Sequence, residues 1–167
     1  ARLRRRQPPP GVEVIRIRRP FRLSGDYSRA VDPYQAWLDV NGLNSRSIRD
    51  LQGCLELRTG RLPRISVITP VYNTPRALLE AAVNSVIDQV YPNWELVLVD
   101  DCSPGADVIA TLRELEKLDT RIKVEFADRN CGISGATNRA VDLATGEIIV
   151  FLDHDDLLTA DCLAEIA

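Results

Sequence analysis

The chain has no methionine, one histidine and four cysteines in 167 residues, and aromatic side chains make up only 5% of it. These scarcities exclude several classes. His154 stands alone, and cysteines 54, 102, 131 and 162 form no CxxC pair, so no zinc-ligand spacing exists. No uncharged apolar run approaches the roughly 20 residues that cross a bilayer. The start, Ala1 to Gly11, is basic but has no apolar stretch, so it does not read as a secretory signal. Neither GxGxxG nor GxxxxGK[ST] occurs, which leaves a dinucleotide fold and a P-loop unsupported. The expectation is a cytoplasmic protein with four reduced thiols. With Ala first and no Met, the sequence reads as a piece of a longer chain.

What is present is ordinary globular material: 45% apolar and 27% charged residues, enough for one domain with an appendage. Charge is unevenly placed. Residues 1–60 carry 12 arginines against 6 acids, whereas residues 61–167 carry 9 basic residues against 18 acids. The acidic part is a poor nucleic-acid binder. The Arg-rich arm suits contact with nucleic acid, with an anionic membrane surface such as the inner face of the plasma membrane, or with the acidic body of its own chain.

The two parts differ in texture. Residues 1–60 hold a Pro-rich stretch, a short alternating strand at Val12–Arg18, a helix opened by Asp32-Pro33 with Tyr34, Trp37 and Leu38 on one face, and a second helix over Ser47–Leu57. From Ile65 the pattern is regular. Strands are expected at Ile65–Thr69, Glu95–Val99, Ile122–Phe126 and Glu147–Leu152. Pro70 to Asn73 is expected as a loop. Thr74-Pro75 opens a helix with Leu78, Leu79, Ala82, Val83, Val86 and Ile87 on its apolar face. Further helices follow from Ser103-Pro104, over Gly132–Leu143, and near Ala160. Alternating strands and helices imply an α/β fold with a mainly parallel sheet. Ligands of such sheets bind outside the carboxyl ends of the strands.

The polar residues at those ends are therefore the candidates. Asp153-His154-Asp155-Asp156 places three carboxylates in four residues between apolar flanks. Their mutual repulsion calls for a cation, and hard oxygen ligands suit Mn²⁺ or Mg²⁺, which take substrate phosphates as further ligands. Asp100-Asp101 ends the second strand, where a carboxylate accepts hydrogen bonds from a ligand; the same residues also make an ordinary turn with a helix cap. His154 reads as a loop residue whose backbone or ring assists binding, rather than as a general base. Gly132 to Asn138 either presents backbone N–H groups to a phosphate or is a glycine-eased helix start.

Taken together and in order, the segments Pro63–Asn73, Ser85–Leu96, Val99–Ser103, Asn130–Ser134, Asn138, Ala144–Glu147 and the Asp-x-Asp at Asp153–Asp155 resemble the nucleotide-sugar-binding half of a family 2 glycosyltransferase with the GT-A fold. The resemblance spans residues 61–167 and ends shortly after the Asp-x-Asp. It implies that Pro70, Tyr72 and Asn73 line the base and ribose pocket, that Asp101 with Asp100 reads the nucleobase, and that Asn138 faces the nucleotide. Asp153 would serve the ribose or the metal, and Asp155 would be the main metal ligand, with His154 beside them on the donor side. The implied activity is hexosyl or deoxyhexosyl transfer, with inversion, from a metal-bound nucleoside-diphosphate sugar to a glycan or lipid-linked hydroxyl acceptor. The expected carboxylate base lies beyond Ala167. Asp-His-Asp-Asp-Leu-Leu and the Tyr34–Trp37 segment resemble the bacterial branch that builds O-antigens and other surface polysaccharides. Cys102 departs from the glycine usual at its position, and Cys131 from a small residue.

Two other classes compete. One is a non-catalytic nucleotide-binding or interaction module derived from the same fold, associating through the face that a second half would cover. The other is a phosphotransfer enzyme, but there the Asp-x-Asp follows the first strand of the core and not the fourth.

Overall fold

A computed structural model describes residues 45–57 and 60–167. The strand expected at Val12–Arg18 and the helix expected from Asp32 lie outside the described residues. The first described helix, α1, runs Ser45–Leu57, and its Leu55 packs on the main core. Then follow β1 (Ile65–Val71), α2 (Arg76–Ile87), β2 (Trp94–Asp100), α3 (Ala106–Leu115), β3 (Ile122–Phe126), α4 (Gly132–Leu143), β4 (Ile148–Phe151) and α5 (Cys162–Ile166). Among the described residues no helix is long and apolar enough to cross a membrane.

The four strands form one parallel sheet in the order β3-β2-β1-β4. The chain steps outward from β1 to β2 to β3, then returns past both to lay β4 on the far side of β1. With crossovers of one hand, that reversal moves the connecting helix to the opposite face. Accordingly α2 and α3 cover one face and α4 covers the other. On the first face Ile65, Val67 and Val71 of β1 and Leu96 and Leu98 of β2 meet Leu79, Val83 and Val86 of α2 and Val108, Leu112 and Leu115 of α3. On the second face Ile68, Val97 and Val99 meet Ala136 and Ala140, small residues that let α4 lie close to the sheet. Each fully buried Leu or Val stabilises the fold by about 1.5–3 kcal/mol.

Two local expectations need correction. Pro70 belongs to β1, which continues to Val71 before the loop starts at Tyr72. A proline inside a strand forfeits a ladder hydrogen bond. Here the loss is harmless, because Pro70 faces the β4 side and the β4 ladder ends opposite Ile68, with Leu152 N–H donating to Ile68 O at 3.0 Å. Leu78 is not on the buried face of α2: it is 45% exposed, and Leu79, Ala82, Val83 and Val86 make the contact.

The amino ends of the strands are locked by a buried ion cluster. Glu95 is fully buried and accepts hydrogen bonds from Ser66 Oγ (2.6 Å) and from the Thr145 hydroxyl and backbone N–H, and it pairs with Lys123 Nζ (2.8 Å) and Arg64 (3.2 Å). Burial alone would push its carboxyl up. The Lys123 ammonium and the bonds from Ser66 and Thr145 outweigh that and hold it at about 2. Gly146 donates to Ser66 Oγ here, and a Cβ on it would stand 2.6 Å from that oxygen, so only glycine fits. Nearby, Arg121 lies over the Trp94 ring at 3.7 Å and pairs with Asp119.

Candidate functional site

At the carboxyl ends the sheet order reverses between β1 and β4, which is where an open parallel sheet splays to leave a crevice. A cavity of about 280 Å³ sits there. The end of β1 supplies Pro70, Val71 and Tyr72, the loop after β2 supplies Asp101, the start of α4 supplies Gly132, Ile133 and Ala136, and the loop after β4 supplies His154; Asn130 completes the wall. Most of this lining is apolar, and Tyr72 and Ile133 are exposed at its rim.

The loops around the cavity are tied together by their own polar groups. Asp100 is buried, and both its carboxylate oxygens are used by Ser103, one by the hydroxyl and one by the backbone N–H at 3.0 Å. Ser103 Oγ in turn accepts from Asn73 N–H at 2.8 Å. Asp101 N–H donates to Val71 O, and Ala127 N–H donates to Asp100 O, both at 2.8 Å. Three residues at these loops have positive φ: Asn73 (50°), Cys102 (60°) and Gly132 (73°). Non-glycine residues there cost about 1–2 kcal/mol each, so the hydrogen-bond chain holds a strained rim in place.

Asp101 differs from its neighbour. It is buried, and Oδ1 accepts from Cys131 N–H at 2.7 Å. No hydrogen bond reaches Oδ2 among the described residues, and the side chain lines the cavity. It also borders a second, more polar hollow of about 350 Å³, which includes Arg129, Cys131 and Arg139. Cys102 and Cys131 are both exposed, and all four thiols are free.

Of the residues singled out from the sequence, Pro70, Tyr72, Asp101 and His154 come together at the cavity. Asn73 and Asp100 do not line it; they brace the loops that do. Asn138 is exposed on α4 and is absent from the cavity wall, because it lies two residues beyond the inward-facing Ala136, roughly the opposite side of a helix. Asp153 and Asp155 are exposed in the adjoining loop and make no ion pair among the described residues. Val71, Ile133 and Ala136 also line the cavity, without a polar group to mark them in the sequence. The i, i+1, i+4 spacing of Gly132, Ile133 and Ala136 was the available signal.

A divalent ion can be tested against this donor set. No three His, Cys, Asp or Glu side chains converge to cage a metal among the described residues. The loop offers three exposed carboxylates, Asp153, Asp155 and Asp156, an all-oxygen set. That fits Mn²⁺ or Mg²⁺ completed by waters and phosphate oxygens, and does not fit a structural zinc.

Downstream, the chain is clamped to α2. Gln89 donates to Thr159 O at 2.7 Å and accepts from Leu163 N–H at 2.9 Å, while Ser85 Oγ accepts from Leu158 N–H at 3.1 Å. This role of Gln89 carries no sequence signal, since both partners lie some 70 residues away.

Comparison with known proteins agrees with this geometry. The family model described as Glycosyl transferase family 2 matches residues 66–167. The putative teichuronic acid biosynthesis glycosyltransferase TuaG of Bacillus subtilis is 44% identical over 103 residues, covering 60% of this chain and 39% of that protein. The structure of S. aureus TarS 1-349 in complex with UDP-GlcNAc superposes with a TM-score of 0.55 at 30% identity, covering 62% of this chain and 30% of that one. Mannosyltransferase PcManGT from Pyrobaculum calidifontis, in complex with GDP-Man and Mn²⁺, gives a TM-score of 0.57 at 29% identity, covering 70% and 36%. The chain spans about two fifths or less of the length of the curated relatives it matches. Its parallel sheet, its crevice at the strand reversal and its matched residues agree on one assignment: the chain belongs to glycosyl transferase family 2 and has the GT-A fold.

Proposed function

We propose that the chain is the donor-binding half of an inverting glycosyltransferase that transfers a hexosyl or deoxyhexosyl group from a nucleoside-diphosphate sugar, in the building of a cell-surface polysaccharide at the cytoplasmic face of the membrane. One observation carries the reading: a largely apolar cavity at the carboxyl ends of β1 and β4, with the buried Asp101 presenting an uncommitted carboxylate oxygen to it. An apolar slot with one fixed acceptor suits a nucleobase, which stacks on its faces and donates from its edge. The names of TuaG and of the nucleotide-sugar complexes of TarS and PcManGT support the donor class.

In this reading Pro70, Val71 and Tyr72 cover one side of the nucleoside and Ile133 and Ala136 the other. Asp101 accepts a hydrogen bond from the base. Asp153 and Asp155 would hold a Mn²⁺ or Mg²⁺ ion, which supplies charge neutralisation for the departing diphosphate. The acceptor hydroxyl attacks the anomeric carbon opposite the diphosphate, the glycosidic bond forms as the bond to the diphosphate oxygen breaks, and the configuration inverts. The hydroxyl proton passes to a carboxylate base. That base is assigned to no residue of this chain, since His154 and Asp156 stand with the donor.

Amide chemical-shift mapping with UDP or GDP and Mg²⁺ tests this. Val71, Asp101, Gly132 and Ala136 are expected to shift, and Ser66, Glu95 and Thr145 to stay. Shifts confined to the Glu95 end, or none from a folded protein, would overturn it.

A further inference from the structure

We infer that His154 is a positioning residue that ties the acidic loop to the wall of the nucleotide cavity through its Nδ1–H bond to the carbonyl of Pro70. The inference rests on the nucleotide-site reading and adds to it a coupling between two parts of that site. His154 Nδ1 lies 3.2 Å from Pro70 O. A carbonyl only accepts, so Nδ1 must carry the proton, and the neutral ring then has its bare nitrogen at Nε2.

The reason for the bond lies in the sheet. In a parallel ladder the N–H and C=O of one residue point to the same neighbour. Pro70 faces β4, has no N–H to offer, and stands two residues beyond Ile68, where the ladder to β4 stops. A rung of backbone bonds cannot form there, and the Pro70 carbonyl would be left without a partner. The His154 ring takes the place of that missing rung.

The consequence concerns the two carboxylates. After Leu152 N–H bonds Ile68 O, the next hydrogen bond from this loop's backbone to another element, among the described residues, is Leu158 N–H to Ser85 Oγ. Asp156 N–H bonds Asp153 O, but that lies within the loop. Among the described residues, His154 is therefore the one hydrogen-bonded anchor between positions 152 and 158. It flanks Asp153 and Asp155 directly, and it lines the same cavity as Pro70, Tyr72 and Asp101. Losing the bond frees the carboxylates without removing either of them. Losing it therefore weakens the cation-dependent part of nucleotide binding more than the part made by the cavity wall, to which the ring is one contributor among several.

The test is calorimetric titration of the full chain with UDP and with GDP, each with and without Mn²⁺, on wild type and three variants. His154→Ala is expected to lose some affinity in both arms, because the ring also lines the cavity, with a further loss of about 3- to 10-fold confined to the Mn²⁺ arm, the range of one net hydrogen bond, and a melting temperature lower by a few degrees at most. His154→Asn places an amide N–H where Nδ1–H was and is expected to recover most of the loss. His154→Gln places it one bond further out and is expected to resemble Ala. Equal losses in both arms, or an Asn variant no better than Ala, would overturn the coupling and leave the ring as a simple contact. No nucleotide binding by folded wild type would overturn the nucleotide-site reading and the coupling with it. In that case the ring ¹⁵N spectrum still reads the bond alone: a protonated Nδ1 upholds the tie as a loop anchor, and an Nε2–H tautomer refutes it.

Discussion

Glu95 and Asp101 lie six residues apart, at opposite ends of β2, and both are buried carboxylates, yet the fold uses them in opposite ways. Glu95 is surrounded by Ser66, Thr145, Lys123 and Arg64, which together match its charge and hydrogen-bonding capacity. Asp101 receives one backbone N–H and no basic partner, and it borders open space. At the amino end the charges close on one another and pin β1, β2, β3 and the approach to β4. At the carboxyl end Asp100 is spent on Ser103, but one oxygen of Asp101 and the exposed Asp153 and Asp155 stay uncommitted, and residues with positive φ gather. One end of the sheet secures the fold, and the other holds polar groups ready for a ligand at some cost in stability.

Breaking the amino end gives the largest effect. Glu95→Ala leaves Lys123, Arg64, Ser66 and the Thr145 N–H without their shared acceptor. Breaking one partner of a fully buried pair costs about 3–5 kcal/mol. Lys123 and Arg64 are nearly half exposed, so water compensates them in part, and about 2–4 kcal/mol is expected. Thermal melting should show a drop of about 10 °C or more, with nucleotide affinity of the remaining folded protein unchanged. Asp101→Asn reverses the pattern: nucleotide affinity falls about 10- to 100-fold, the range for a hydrogen bond to a charged group, while the melting temperature holds. Asp155→Ala removes the gain in affinity that Mn²⁺ confers and leaves the metal-free affinity and the fold alone, since the side chain is exposed. If Asp155→Ala binds as wild type does in Mn²⁺, the metal assignment is wrong.

The comparison also predicts a pH dependence. Glu95 is held at about 2, below its ordinary 4.5. A depressed carboxyl contributes stability that is fully present above about 4.5 and lost as pH falls toward 2. Melting temperature should therefore decline across that window, and Glu95→Gln should flatten the decline while starting lower. The smallest effect belongs to Cys102. Its φ of 60° suits glycine, so Cys102→Gly should stabilise by up to about 1 kcal/mol after the added freedom of the unfolded chain is subtracted. A lower melting temperature for this variant would show that the rim at Cys102 is not strained.

The core of this molecule was legible from runs of buried residues. Ile65–Thr69 and Glu95–Val99 read as strands because parallel strands are buried on both faces. Val108, Leu112 and Leu115 read as one helix face, and all three are buried. Strand ends were harder. Pro70 reads as a loop residue because proline removes a donor, and only the early end of the β4 ladder reveals why it stays in the strand. The candidate site was legible where chain neighbours supply it, as at Tyr72, Asp101 and His154. It is not legible where helix rotation decides, as at Asn138, which stands off the cavity wall, or where a carboxylate's partners decide, as at Asp100, which is bonded to Ser103. Glu95 gave no sign at all, since Ser66, Lys123 and Thr145 meet it only through the strand register and the turn before β4.

Calorimetric titration of this chain with UDP, GDP and dTDP, each with and without Mn²⁺, tests the central claim most directly. The account predicts that one of the three binds, that Mn²⁺ strengthens the binding, and that Asp101→Asn weakens it without lowering the melting temperature. Absence of heat from all three nucleotides with a well-folded protein would contradict it.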